Sequence, residues 1–186
     1  MSLTADEIAM ITDGLFAIDL FSHIKVLQIT KYLIDSAVFP FHFFGRFSNL
    51  QKLKMVGCNF KEFSPYEGDV GEERDVVTML PRIKKLTLQG VDNMAHLWKQ
   101  GSPLHHICAN LETPKNCKEM VELITSSKAQ CLEQLVTLNI VECEMMREVI
   151  ASDRDETTYH EIIFRELKCL ALCDLKNLKS FCSGNL

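Results

Sequence analysis

No apolar run in this 186-residue chain approaches the eighteen or so residues that cross a bilayer. The best stretch, residues 8–21, is interrupted by Asp13 and Asp19, so no membrane span is expected. Basic residues are too few for a phosphate-binding field: 20 Lys and Arg face 25 Asp and Glu, for a formal charge of -5. Nucleic acid is therefore not expected as a partner. The sequence has no G-x-x-x-x-G-K-[ST] loop to cradle a nucleotide, no H-E-x-x-H zinc helix and no G-x-S-x-G elbow. Sustained heptads are absent too, which excludes a long coiled coil. The start, Met1-Ser2-Leu3-Thr4-Ala5-Asp6-Glu7, lacks the basic opening of a secretory signal, and no Asn-x-Ser/Thr sequon follows it. A cytoplasmic chain without a cofactor is the expectation.

What is present is a repeating apolar spacing. Leu50, Leu53, Met55, Cys58 and Phe60 read L-x-x-L-x-L-x-x-C-x-F. The spacing returns as Ile83, Leu86, Leu88, Val91; as Leu135, Leu138, Ile140, Cys143, Met145; as Leu167, Leu170, Leu172, Leu175; and, weaker, as Ile24, Leu27, Ile29. One copy would fit any buried strand, but several copies in register form the leucine-rich-repeat signature, in which x-L-x-L-x is a short strand. The expected fold class is α/β. It is a leucine-rich-repeat solenoid with a parallel β-sheet on the concave face and irregular or short helical segments on the convex side.

The reading divides the chain into an N-terminal helical or partial-repeat segment, residues 1–23, and a repeat domain, residues 24–186, with about five recognisable units. Thr4 and Glu7 have the spacing of a capping box for a helix over 4–12. Between the strands centred on Leu86 and Leu138 a further unit is expected, and residues 111–120 look like a damaged one. Leu111 to Cys117 spans six residues where Leu50 to Cys58 spans eight, and Pro114 brings no N–H to a ladder. These features predict a deletion and no central strand there. Residues 64–79 and 152–160 are acidic inserts, expected as solvated loops on the convex or rim side.

Eight cysteines would suggest disulfides in a small secreted protein. Cys58 and Cys143 fall on the turn position of the repeat and Cys169 and Cys173 on strand positions, which predicts reduced packing residues. His105, His106 and Cys108 form the most metal-like cluster but lack paired zinc-ligand spacing. Cys169 and Cys173, four apart on a strand, would sit about 13 Å apart, too far for one ion. No metal site and no catalytic residue is assigned. Trp98 is expected to pack with Met94 and Leu97. Side chains alternate along a strand, so the x residues of x-L-x-L-x share the face opposite the leucines. That concave face carries the candidate partner-binding residues Lys52, Lys54, Lys85, Thr87, Gln89, Thr137 and Asn139, basic at its N-terminal end and neutral at its C-terminal end.

The turn halves of the units carry a more specific pattern. Cys117, Met120, Leu123, Ile124 and Cys143, Met146, Val149, Ile150 both read C-x-x-M-x-x-[VL]-I, and Leu175, Leu178, Phe181, Cys182 closes the chain as L-x-x-L-x-x-F-C. These runs resemble the C-terminal leucine-rich repeats of plant disease resistance proteins of the coiled-coil, nucleotide-binding type, over roughly residues 20–186. The resemblance implies a non-enzymatic protein-protein interaction module in plant defence. Its protein partner would be a pathogen effector, a guarded host protein or the receptor's own switch domain, which it would hold inactive. Alternative readings are a repeat-type substrate adaptor of a ubiquitin ligase, a zinc- or thiol-dependent hydrolase, and a truncated, inactive receptor fragment.

Overall fold

A computed structural model of the chain describes residues 1–17, 19–34, 41–61, 83–95, 97, 110–129, 135–152 and 163–182. Most of the expected insert loops at 64–79 and 152–160, Trp98 and the His105-His106-Cys108 cluster lie outside the described residues. The strands β1 (Ser2–Leu3), β2 (Val26–Thr30), β3 (Lys52–Val56), β4 (Lys85–Gln89), β5 (Asn110–Lys115), β7 (Thr137–Val141) and β9 (Cys169–Cys173) form one seven-stranded sheet. Each strand of that sheet pairs in parallel with the next, so chain order is spatial order. A second, three-stranded parallel sheet joins β6 (Glu122–Thr125), β8 (Glu148–Ala151) and β10 (Ser180–Cys182). The helices among the described residues are α1 (Ala5–Thr12), a 3₁₀ turn at Phe41–Arg46 and a single-turn α2 (Ser126–Ala129).

Register follows from the leucine spacing. Leu27 sits opposite Leu53, Leu53 opposite Leu86, and Leu138 opposite Leu170. A one-residue slip would turn every leucine outward, so burial of one face fixes the pairing. Leu27, Leu53, Leu86 and Leu138 are all buried, as are Ile29, Met55, Leu88 and Ile140 two residues on. Each such leucine contributes about 1.5–3 kcal/mol by leaving water.

The strands end by a shared device. Lys31, Gly57, Gly90, Asn116, Glu142 and Asp174 follow their strands directly, and all have φ between 51° and 60°. This left-handed residue turns the chain off the sheet. Its N–H donates to the last strand carbonyl of the following unit: Lys31 to Val56, Gly57 to Gln89, Gly90 to Lys115, Asn116 to Val141 and Glu142 to Cys173. A Cβ costs roughly 1–2 kcal/mol in this conformation, so the four units with a side chain there carry that strain.

The next apolar residue then turns inward, and the chain crosses to the second sheet. Cys117, Met120, Leu123 and Ile124 are buried in one unit, and Cys143, Met146, Val149 and Ile150 in the next. The C-x-x-M-x-x-[VL]-I run is therefore the crossing between sheets. Where irregular or short helical segments were expected behind the first sheet, β6, β8 and β10 pair instead. The two adjacent apolar residues that end each run, Leu123-Ile124 and Val149-Ile150, stack on their counterparts and complete a ladder.

At the N-terminal end, β1 pairs with β2, and α1 packs Ile8 and Ile11 into the core beside Phe43, Phe44 and Phe47. Glu7 accepts hydrogen bonds from the Thr4 backbone N–H at 2.7 Å and the Thr4 hydroxyl at 2.9 Å, which fix the start of α1. The backbone bond, then the hydroxyl, holds the Glu7 carboxyl below its usual range.

Residues 111–120 require a correction. A strand is present, β5, and it pairs with β4 on one side and β7 on the other. Leu111 stands opposite Leu86 and Leu138, so it occupies the second leucine position of its unit, not the first. Counted from there, Leu111 to Cys117 is six residues where Leu138 to Cys143 is five. The unit has gained a residue. The extra residue is absorbed by a bulge: the register shifts between Glu112 and Lys115 against β7, and Pro114 falls opposite Leu88. Pro114 is buried at a leucine position. A bulge is where a sheet tolerates a residue without an N–H, and this is why a proline unfit for regular pairing still sits in an interior strand.

The C-terminal unit also differs from expectation. Leu170 occupies the same position as Leu138, but it is 47% exposed while Leu138 is 0% exposed. β9 has β7 on one side and no further strand among the described residues on the other.

Three outcomes follow for stability. Leu138→Ala should cost ~2–5 kcal/mol in denaturant unfolding, whereas Leu170→Ala should cost under ~1 kcal/mol because much of the side chain already meets water. Open space surrounds a Cβ built at Gly57, where φ is +60°, so Gly57→Ala isolates the backbone penalty and should lose about 1–2 kcal/mol. Amide exchange should begin around the β5 bulge earlier than in β3 or β7, since the bulged ladder has fewer bonds to break; slower exchange at Lys115 than at Met55 would contradict that.

Candidate functional site

The two faces of the first sheet differ as alternation demands. Lys52 is exposed, and Lys54, Lys85, Thr87, Gln89, Thr137 and Asn139 are half-buried, each next to a buried residue of the leucine face. The register assembles them in rows across the strands. Val26, Lys52 and Lys85 make one row, which Asn110, Thr137 and Cys169 continue on the β5 side. Gln28, Lys54, Thr87, Glu112, Asn139 and Ala171 make the second. Thr30, Val56, Gln89, Lys115, Val141 and Cys173 make the third.

The candidate residues therefore fall into two groups. Lys52 and Lys85 are direct neighbours, with Lys54 two residues along β3, and strands lie about 4.8 Å apart. Three ammonium groups thus belong to one small area, beside Thr87 and Gln89. Thr137 and Asn139 lie beyond β5, separated from the lysines by a strand that brings Glu112 to the second row. The Asn139 Oδ1 atom is shielded from solvent and accepts no hydrogen bond.

Lys115 escaped the sequence reading. The bulge places it beside Gln89 in the third row, 4.0 Å from the Glu142 carboxylate. The signal that could have found it was the residue before each turn cysteine, a position that is left-handed throughout and always follows the last x residue of its strand. A row of ion pairs was also missed. One residue past the turn position stand Asp92, Lys118, Glu144 and Lys176, alternating in sign from unit to unit. Lys118 reaches Asp92 at 3.2 Å and Lys176 reaches Glu144 at 2.7 Å. The hydrogen bond from Lys176 lowers the Glu144 carboxyl and raises the Lys176 ammonium. Both pairs are solvent-facing, so they bias neighbour choice more than they add stability.

Cysteine chemistry separates by position. Cys58 is buried, and its thiol donates to the Ile29 carbonyl of the preceding unit at 3.8 Å and to Val56 at 3.7 Å. Burial pushes that thiol above its ordinary value, with backbone hydrogen bonds at Tyr32 and Val56 only partly opposing it. A thiol so raised is a poor nucleophile at neutral pH. Cys169 and Cys173, expected as packing residues, are exposed on the polar face instead. Their position in x-L-x-L-x places them outward, because leucines occupy both inward positions. Among the described residues no three His, Cys, Asp or Glu side chains gather as metal ligands.

A shallow depression of about 300 Å³ lies elsewhere, lined by Met145, Arg147, Asn177 and Lys179. It contains no nucleophile and no acid-base pair. No described helix is long and apolar enough to cross a membrane.

The family model for the leucine-rich repeats of plant disease resistance proteins of the RPS2-like kind matches residues 1–115 and again 105–186. The chain belongs to that family. The two matches overlap over residues 105–115, the stretch that contains the bulged strand β5. Neither the curated proteins nor the solved structures compared with the chain give a match.

Proposed function

We propose that this chain is a non-enzymatic protein-interaction module of plant defence, acting in the cytoplasm. Its units, residues 24–186, would coil as a solenoid with the seven-stranded sheet on the concave side, and residues 1–23 would close the N-terminal edge. The partner is a protein: a pathogen effector, a guarded host protein, or the nucleotide-binding switch domain of the receptor, held inactive. The observation that carries this reading is the polar face of the first sheet, where Lys52 and Lys85 are register neighbours. Family membership supports the defence setting.

The physical case concerns charge. The chain is acidic overall, yet Lys52, Lys54 and Lys85 converge on a surface whose strand spacing is fixed by the ladder. An acidic partner surface would complement lysines held at that spacing. Such a patch sets association rate and partner choice more than raw affinity. Thr87 and Gln89 extend it with neutral hydrogen-bonding groups, and Thr137 and Asn139 add further ones beyond β5.

The test titrates wild type, Lys52→Glu/Lys85→Glu and Lys84→Glu against the nucleotide-binding domain of a receptor of this family and against a polyglutamate peptide. Lys84 is exposed but precedes β4, so it controls for net charge. The double variant should associate about tenfold more slowly at low salt and lose most of its dependence on ionic strength between ~10 and ~150 mM. Lys84→Glu should stay near wild type, and all three should unfold alike. Equal association by the three proteins would remove this face from consideration.

A further inference from the structure

The turn positions of successive units form a row: Tyr32, Cys58, Val91, Cys117, Cys143 and Leu175. Cys58 has Tyr32 and Val91 as its neighbours in this row, neither of which carries a thiol. Cys117 and Cys143 are adjacent. Both are 0% exposed. The Cys143 thiol donates to the Pro114 carbonyl at 3.3 Å and the Cys117 thiol to the Lys115 carbonyl at 3.8 Å, so both sulfurs lie at the bulged end of β5. The two thiols are also close enough to influence each other's ionisation. Neighbouring parallel strands are about 4.8 Å apart, inside the Cα separation of roughly 4.4–6.8 Å that a disulfide spans.

We propose that Cys117 and Cys143 are a modification site, a dithiol that a low-molecular-weight disulfide such as glutathione disulfide converts to a cross-link between the β5 and β7 units. Two features of the fold make the site usable. The first is the adjacency of the two thiols, which hold the same turn position in neighbouring units with both sulfurs at the bulged end of β5. The second is access: the register shifts on both sides of β5 between Glu112 and Lys115, so local opening should cost less here than between regularly paired interior strands, and it uncovers the thiols. Ionisation of Cys143 lets the Cys117 thiol turn from the Lys115 carbonyl to donate to the neighbouring thiolate, which lowers the Cys143 thiol against the effect of burial and raises Cys117.

In the first step the Cys143 thiolate attacks one sulfur of glutathione disulfide. A mixed disulfide forms, the glutathione S–S bond breaks, and one glutathione leaves, taking up the proton Cys143 gave. Cys117 then loses its proton and attacks the Cys143 sulfur, and the second glutathione leaves with that proton. Two protein thiols are oxidised to one disulfide, and one glutathione disulfide is reduced to two thiols. The product closes the loop from 117 to 143 and fastens the bulged unit to its neighbour. The inference stands apart from the partner-binding reading, because neither sulfur lies on the lysine face.

The test incubates the folded full chain with glutathione buffers of rising oxidised fraction, blocks residual thiols with an alkylating agent, and maps peptides by mass. A cross-linked peptide pair containing Cys117 and Cys143 should appear while the chain is still folded. Cys58 should remain alkylatable only after denaturation, and Cys169 and Cys173, exposed on the sheet face, should carry single glutathione adducts. The oxidised chain should unfold roughly 5–10 °C higher than the reduced one. Cys143→Ser should lose both the cross-link and the shift, and Cys58→Ser should keep them. Because a buried substitution can impair folding, the wild-type map decides by itself. If Cys117 and Cys143 stay reduced in the folded chain while the exposed cysteines react, or link only once it is denatured, the pair is inert packing and the proposal is wrong.

Discussion

No unit of this chain can bury its own leucines; each hides them against the next. Leu138 and Leu170 show the dependence. They hold the same place in the same spacing and pair with each other, yet Leu138 is fully covered and Leu170 is 47% exposed. What separates them is a neighbouring strand on both sides or on one. Stability here is a property of stacking, and the left-handed residue after β2, β3, β4, β5 and β7 is the device that carries the stack forward. Its N–H bonds to the next unit's carbonyl, so the turn of one unit is completed by its successor.

Stacking also explains how an irregular unit survives. β5 carries one residue too many and a proline where its neighbours have Leu88 and Ile140. In an isolated hairpin that combination would undo the pairing. Here β4 and β7 hold it from both sides, and the surplus is confined to a bulge. The bulge has consequences for the surface, since it sets Lys115 beside Gln89, and for the interior, since it brings the Pro114 carbonyl to the Cys143 thiol. A local defect in spacing thereby organises chemistry on both sides of the sheet.

The polar face owes its character to the same alternation that builds the core. A lysine on a leucine-rich strand has only the outer face available, so Lys52, Lys54 and Lys85 were legible from the spacing alone. The alternating ions at Asp92, Lys118, Glu144 and Lys176 were written in the sequence as well. They became visible only when the turn position of each unit had been aligned with its neighbours, because the opposite charges there are 26 and 32 residues apart along the chain.

By itself the sequence determined the regular strands of the first sheet, the leucines they turn inward, and the family, because period-two alternation and repeated spacing are local properties of the chain. It misread three features. It placed Leu111 one position out of frame, since a count along the chain cannot tell a deletion from an insertion absorbed by a bulge. It left the second sheet irregular, because runs such as Val149-Ile150 do not alternate and gain their strand pairing only from counterparts in other units. It assigned packing to Cys169 and Cys173 from residue type, when their outward place on β9 follows from the leucines beside them. Which thiols meet, which leucines stay covered and which lysines converge were decided by the stacking of units distant in sequence, and that is a property of the tertiary structure alone.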